Sequence, residues 1–384
     1  MKDTTVDSGK KAIKVCHLTS VHHAEDGRIL KECISCANAG YETYLVEEGA
    51  SYDKEGGHIK GLGFPKRKNR LYRMTVFSKI DYHVARETDA DIYQLHDPEL
   101  LPFAKKFKRL GKYVVFDCHE RYVEQIRSKP YLPKIVARLI SYLFDKYSKH
   151  VYKHIDGFIH PVYDEYVASL EPICKRIVTV NNYPWLNELY DSFDPKSVKE
   201  PNTACYVGGL SEDRGITQTI KACYSAGCKL YLAGEFSSIQ YQQELENMKE
   251  YSCVEYLGIL DRSGIVKLLG KTTLGLCLLL DVGQYYRMKN LATKVFEYMS
   301  MGMPVVVSDS EYNIETIKKL DIGYCTDPMD VENTGKLIRF ILDDEVCQKR
   351  FGENGRKMIK NEYCWDIEQN RLLNLYKDIM AGNN

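Results

Sequence analysis

The chain has 384 residues, 44% of them hydrophobic and 28% charged, with 53 Lys and Arg balancing 53 Asp and Glu. This composition excludes a disordered, collagenous or disulfide-stapled polypeptide, and the length exceeds one ordinary core and suits two domains of about 150–200 residues. The zero net charge hides an asymmetry, 30 basic against 25 acidic residues over 1–190 and 23 against 28 thereafter, which biases the first half towards anionic partners.

The 13 cysteines are scattered without a repeat, many inside apolar runs such as those around Cys205 and Cys277, and read as reduced core residues of a cytoplasmic protein. Cys33 and Cys36 form a C-x-x-C string, but no second pair has metal spacing and both thiols fall on the apolar face of a helix. Residues 1–11 are polar and charged, so no secretory leader is expected, and no apolar run is long enough to span a bilayer.

In chain order, Ala12–Thr19 reads as a strand, Arg28–Asn38 as an amphipathic helix closing at Ala39-Gly40, and Glu42–Val46 as a second strand. A β-α-β opening implies a parallel sheet, in which ligands bind beyond the carboxyl ends of the strands. The loop at that end carries His22, Asp26 and Arg28, although Asp26 can equally be a helix cap. It lacks G-x-G-x-x-G, which argues against simple NAD-dependent chemistry. Asp91–Pro102 places His96 and Asp97 at the end of another strand, and Lys112–Glu120 does the same for Asp117, His119 and Glu120. Three polar clusters thus meet at one sheet edge.

Between these motifs the surface is basic. Gly61–Ile80 contains Lys66, Arg67, Lys68, Arg70, Arg73 and Lys79 without an acid, and Phe103–Lys153 contains 13 basic against four acidic residues, interleaved with the strings Ile135-Val-Ala and Leu139-Ile. Such a surface can rest on anionic lipid headgroups or draw a polyphosphate acceptor, and an ordinary solvated helix face reads the same way. No nucleic-acid partner is expected, because no helix-turn-helix, zinc module or RNP string accompanies the charge and the domain is not strongly basic overall.

Ile155–Pro161 and Arg176–Pro184 close the first domain, and Pro184, Pro195 and Pro201 bracket an irregular connection. The expected division is residues 1–184, a linker over 185–200, a second domain over 201–362 and a final helix over 363–384. Thr203–Ile216 opens a second β-α-β sheet, in which Gly208 and Gly209 let a phosphate approach the main chain and Arg214 stands before the helix. Lys229–Glu235, Val254–Gly258 and Leu274–Leu280 are further strands, and Trp365–Ile379 is an amphipathic helix. The stretch Asn290-Leu-Ala-Thr-Lys-Val-Phe-Glu-Tyr-Met-Ser-Met-Gly-Met-Pro-Val-Val-Val-Ser-Asp309 predicts a helix capped by Asn290, stopped at Gly302-Met-Pro304 and feeding a buried strand. Lys294 and Glu297 share one face of it, and a solvent-exposed ion pair is the plain alternative to a binding role.

This last stretch resembles the signature segment of the retaining glycosyltransferases of family 4, in which a glutamate inside a Phe-Glu-Tyr-Met helix is followed by Gly-x-Pro-Val. Glu297 matches that glutamate, and Lys289 stands where the family has another. The same family is matched by His22, Asp26, Arg28 and Ile29 in the first loop, by His96-Asp-Pro-Glu-Leu-Leu-Pro, by Asp117-x-His-Glu, and by the Gly-Arg-Leu-x-x-x-Lys-Gly element, with Gly209 in the arginine position and Arg214 in that of the lysine. The resemblance spans nearly the whole chain after residue 11.

It implies an α/β GT-B fold, two facing Rossmann-like domains with a cleft between them and a C-terminal helix crossing back to the first. The second domain would hold a UDP- or GDP-linked sugar, with Gly208, Gly209, Arg214, Lys289, Asn290, Leu291, Ala292, Lys294 and Glu297 around it. Arg214, Lys294 and the N–H groups near Leu291 and Ala292 would stabilise the leaving diphosphate, Glu297 would hold the ribose and His119 would orient the sugar. His22, Asp26, Arg28, His96, Asp97 and Glu120 fall on the acceptor side. The acceptor would be a glycan or lipid-diphosphate-linked oligosaccharide of surface-polysaccharide assembly, met in the cytoplasm at the inner face of the membrane. No Asp-x-Asp string stands in an apt loop, so neither metal nor cofactor is expected. A nucleotide-sugar 2-epimerase of similar fold and a non-catalytic sugar-nucleotide-binding scaffold remain as alternatives.

Overall fold

The structure is a computed structural model, and it describes residues 12–21, 27–54, 57–64, 72–129, 132–282 and 285–382. The chain divides into two compact units, Met1–Asn181 with Glu368–Asn384 and Asn182–Ile367. Each contains one sheet.

The first sheet has eight strands, β1 Lys14–Leu18, β2 Glu42–Glu48, β3 Tyr52–Lys54, β4 Ile59–Phe64, β5 Ile92–Leu95, β6 Tyr113–Asp117, β7 Gly157–His160 and β8 Ile177–Thr179. Their order is β3-β4-β2-β1-β5-β6-β7-β8, parallel throughout except for β3 on β4. Helices α1 Gly27–Asn38, α2 Ser78–Glu87, α3 Leu101–Arg109, α4 Tyr122–Arg127, α5 Lys134–Tyr152 and α6 Glu165–Ala168 connect the strands. The chain leaves β1 in one direction and returns through β5 in the other, so the order reverses between these two strands. At such a switch point the loops diverge and leave a crevice at the carboxyl ends. Residues 19–21 after β1 and His96 and Asp97 after β5 stand at that point.

The second sheet has six parallel strands, β9 Glu200–Val207, β10 Lys229–Ala233, β11 Val254–Tyr256, β12 Thr272–Cys277, β13 Val305–Ser308 and β14 Gly323–Thr326, in the order β11-β10-β9-β12-β13-β14. Its helices are α7 Ile216–Ala226, α8 Ile239–Glu246, α9 Arg262–Lys271, α10 Thr293–Ser300, α11 Glu311–Leu320, α12 Val331–Asp343 and α13 Glu345–Asn361. Here the order reverses between β9 and β12. The two-residue period of a strand divides its side chains between two cores: Cys205 and Val207 pack on one face, Ala204 and Tyr206 on the other. Each fully buried Val, Leu or Phe contributes about 1.5–3 kcal/mol, so this sheet is covered on both sides, as its near-continuous apolar runs require.

Several expectations are corrected. The signature helix begins at Thr293 with Ala292 as its N-cap, not at Asn290, and the cap makes no side-chain hydrogen bond. Its stop agrees with the sequence, with Gly302 at φ 61°. Strand β4 lies in a stretch read only as basic surface, because Gly61 and Gly63 lower its strand propensity. Both glycines have a packing reason: a Cβ on Gly61 would come within 2.4 Å of the Tyr52 ring, and one on Gly63 within 2.1 Å of the Gly49 carbonyl. The polar connection 185–200 belongs to the second unit, where Leu189 is fully buried in the core. The last helix, α14 Trp365–Met380, agrees with the sequence in joining the first unit, from Glu368 onward. All 13 cysteines are free thiols, Cys33 and Cys36 fully buried among them.

Candidate functional site

In the first unit, Arg28 at the start of α1 turns inward and is only 4% exposed. Its Nε donates to Asp117 Oδ2 at 3.0 Å, its Nη2 to Asp117 Oδ1 at 2.8 Å and its Nη1 to the Val180 carbonyl at 2.7 Å. A planar guanidinium matches a carboxylate in this two-bond fork. Burial opposes the charge of Asp117, but Arg28 and the neighbouring histidines hold its pKa well below the usual carboxylate range. His119 Nε2 stands 2.8 Å from Asp117 Oδ2 and His96 Nδ1 3.2 Å from the same oxygen. His96 Nε2 is in turn 3.0 Å from His17 Nδ1, and His17 Nε2 is 3.7 Å from Cys36 Sγ.

Burial pushes the pKa of His17 well below its ordinary value and lowers that of His96. An ionised Asp117 only accepts, and His96 Nδ1 and His119 Nε2, both beside its Oδ2, also lie 3.1 Å from each other, so the row from Asp117 through His96 and His17 to Cys36 is continuous. Glu32 extends the network: its Oε2 accepts from Gln94 at 2.5 Å, and Gln94 accepts from Tyr376 of α14. Asp97 has a different task. Its Oδ2 accepts from Thr19 Oγ1 at 2.9 Å and from the Ser20 main chain at 2.7 Å, holding the chain where it leaves β1. Glu120 is half-buried and accepts from Gln125 at 2.7 Å.

Two triplets here bring ligand atoms within 4.8 Å of one another, His17–Glu32–His96 and His96–Asp117–His119. In the second, the Arg28 fork already takes both oxygens of Asp117 and supplies the positive charge a cation would bring; in the first, Glu32 is held by Gln94. We therefore read both as a hydrogen-bonded network. Of the residues expected in this unit, Arg28, His96, Asp117 and His119 come together, Asp97 and Glu120 brace adjoining loops, and His22 and Asp26 lie outside the described residues.

In the second unit, the turn after β9 is built to stay open. Gly208 has φ 131°, and a Cβ on Gly234, at φ 145°, would stand 1.9 Å from the Gly208 carbonyl. Gly215, at φ 65°, caps α7 where a Cβ would meet the Leu278 carbonyl at 1.8 Å. Only glycine fits these places. Two cations flank the turn. A Cβ on Gly208 would lie 3.5 Å from Lys294 Nζ and one on Gly209 3.7 Å from Arg214 Nε. Lys294 is buried, with Nζ 4.5 Å from the centroid of the Tyr206 ring, and the Arg214 guanidinium lies 5.1 Å from that of Tyr285. Among the described residues neither cation forms an ion pair with a carboxylate.

Lys294 is placed by α10, whose packing has its own geometric cause. The Tyr298 hydroxyl accepts from the Val207 N–H at 3.2 Å and donates to the Leu276 carbonyl at 3.3 Å, pinning the helix to β9 and β12. Its ring lies where a Cβ on Gly275 would be 2.3 Å away. Glu297, one turn after Lys294, does not pair with it. Its Oε1 accepts from Arg262 Nη1 at 2.6 Å, while Arg262 Nη2 donates to Glu188 at 2.6 Å. The ion pair expected as the plain alternative is absent, and Glu297 is instead fixed by a residue the sequence reading did not single out. Arg262 opens α9 directly after its N-cap Asp261, at the carboxyl side of β11, and that position was its one available signal. Leu291 is buried, Asn290 half-buried and Lys289 exposed in the loop before α10.

Comparison with known proteins places this geometry. Sucrose-phosphate synthase from Thermosynechococcus elongatus matches with a TM-score of 0.76 at 12% identity, over 97% of this chain and 100% of that one. A glycosyltransferase from Rickettsia africae matches at 0.69 and 14%, over 97% and 99%. The Anabaena protein HepE in complex with UDP-glucose matches at 0.67 and 14%, over 95% and 100%. No curated protein matches by sequence. The chain thus has the α/β GT-B fold with two parallel-sheet domains, and residues 190–358, the larger part of the second unit, match the model of the glycosyl transferases group 1.

Proposed function

We propose that the chain transfers a sugar from a nucleoside-diphosphate sugar to a glycan or lipid-linked acceptor, with retention at the anomeric carbon and without a metal ion. One observation carries the reading: Lys294 and Arg214, neither in an ion pair among the described residues, flank a glycine turn at the switch point of the second sheet. Two cations held close together repel each other, and a diphosphate relieves that repulsion as its charge develops in the transition state. Glu297, oriented by Arg262, is assigned to the ribose hydroxyls. Lys289, Asn290, Leu291 and Ala292 form the edge of the donor site. The structure of HepE with UDP-glucose supports a uridine donor, and GDP remains the other candidate.

In the first unit, His119 is assigned to the sugar hydroxyls. Its Nε2 is held 2.8 Å from Asp117 Oδ2 at the carboxyl end of β6. No protein nucleophile is required if the departing phosphate takes the acceptor proton. His22, Asp26, Arg28, His96, Asp97 and Glu120 are assigned to the acceptor side, in a cytoplasmic protein of surface-polysaccharide assembly working at the membrane face.

Thermal-shift curves with UDP, GDP, ADP and their sugar conjugates, each with magnesium or a chelator, test the donor half. Stabilisation by one diphosphate in the presence of chelator is expected. No shift with any of them at millimolar concentration would refute the donor site. Release of the nucleoside diphosphate only when an acceptor is supplied separates transfer from epimerisation.

A further inference from the structure

Helix α5 carries large apolar residues on the side that faces solvent. Ala137, Ser141, Ser148, Val151 and Tyr152 form its buried face. On the opposite side Ile135, Leu139 and Leu143 run along one i, i+4 line, 81%, 58% and 56% exposed, with Val136, Ile140 and Tyr147 exposed on the next. A helix on the surface of a globular protein shows solvent its charged face, and this one shows hydrocarbon.

The charges sit around that hydrocarbon. The helix holds Lys134, Arg138, Lys146 and Lys149 against a single acid, Asp145, which Lys149 engages at 3.0 Å. His150, exposed near the carboxyl end, lies 2.6 Å from Lys105 of α3. The same charges decide among occupants. A second copy docking through this face would set lysines and arginines against themselves. Anionic lipid supplies hydrocarbon for the aliphatic line and phosphate for its basic border. With four Lys and Arg and an Asp in 19 residues the helix cannot cross a bilayer, and no described helix is long and apolar enough to do so.

We propose that the outer face of α5 rests on an anionic lipid bilayer, with Ile135, Leu139 and Leu143 entering the headgroup boundary and Lys134, Arg138 and Lys146 on phosphates. The inference adds a membrane surface to the glycosyl-transfer reading and gives a lipid-linked acceptor a place to be met. The contact is parallel to the membrane and reversible, since its strength scales with the apolar area inserted and the number of basic groups near the surface.

The test is co-sedimentation of the full chain with vesicles of phosphatidylcholine alone and of phosphatidylcholine mixed with phosphatidylglycerol, without nucleotide. Binding to the anionic vesicles that weakens with salt is expected. The variant I135S/L139S/L143S should lose about a hundredfold in partition, since each side chain, inserted only into the headgroup boundary, forfeits roughly half of its full apolar transfer; K134Q and K146Q should each lose about fivefold. Because these positions are exposed, the variants should keep the wild-type melting temperature and any nucleotide response. No binding by the wild type, or equal binding by the triple variant, overturns the proposal. So does wild-type self-association that the triple variant abolishes, which would assign the face to a second copy. The vesicle readout needs no donor, so its failure and that of the nucleotide test are distinguishable.

Discussion

Lys294 offers the sharpest test of the donor site. Lys294→Met removes the ammonium and keeps a stem of similar length in the same pocket beside Tyr206. A hydrogen bond from a charged donor contributes about 1.5–3 kcal/mol, which corresponds to a ten- to hundred-fold loss of affinity for the nucleoside diphosphate that stabilises the wild type. The effect should be confined to the phosphates. Nucleoside diphosphate, nucleoside monophosphate and free nucleoside, titrated calorimetrically into wild type and variant in the presence of chelator, give the required comparison, with apo melting curves as the control for folding. An unchanged diphosphate affinity would remove Lys294 from the site. An equal loss for the nucleoside would show that the side chain acts through packing alone.

Arg262→Ala should lower diphosphate affinity about threefold to tenfold by releasing Glu297 and Glu188, and should spare inorganic pyrophosphate; equal losses for both would place Arg262 on the phosphates. Asp81 is fully buried with neither oxygen hydrogen-bonded among the described residues, and burial, aided by Asp97 and Glu99, pushes its pKa well above the usual range. A carboxyl raised on folding contributes most below its unfolded pKa of about 3.9 and loses stability as pH rises. Asp81→Asn should therefore stabilise the first unit at pH 7 by on the order of 1–3 kcal/mol, with the gain shrinking towards pH 4 in urea titrations; a pH-independent difference would contradict the buried acid. Lys199 donates to the Leu269 and Met301 carbonyls at 3.1 and 3.3 Å, and burial draws its pKa down to about 8. Since the unfolded value is about 10.4, the unfolded chain binds more protons between the two and stability rises with pH in that window. Relative to Lys199→Met, the wild type should gain about 2–3 kcal/mol from pH 8 to pH 10, and a flat difference would refute the shift.

Local signals revealed most of both sheets. The abrupt end of the signature helix at Gly302 and Pro304 and the apolar run Val305–Val307 were legible because stop residues and buried parallel strands leave marks a few residues long. Strand β4 left none, since its glycines answer to Tyr52 and Gly49 across the fold. The start of α10 was misplaced because Asn290 suits a cap, whereas the structure caps with Ala292 and uses no side chain. The site divides in the same way. Gly208, Gly209, Arg214 and Lys294 stand in motifs, but the partner of Glu297 comes from 35 positions earlier, and nothing local in Asp261-Arg262 names Glu297 as its target. The inward turn of Arg28 onto Asp117 and the histidine row behind it likewise depend on which strands become neighbours.

The membership of α14 bears on how the molecule is made. Its Tyr376 hydroxyl donates to Gln94, and Leu375 and Ile379 press on Gly157, where a Cβ would lie 3.1 to 3.2 Å from their methyl groups. The first unit therefore includes residues from both sides of the second in sequence. During vectorial synthesis the second unit, Asn182–Ile367, can leave the ribosome whole before the first has received its last helix. The first unit is thus completed after the second, and until α14 arrives the β7 surface that Leu375 covers is left open.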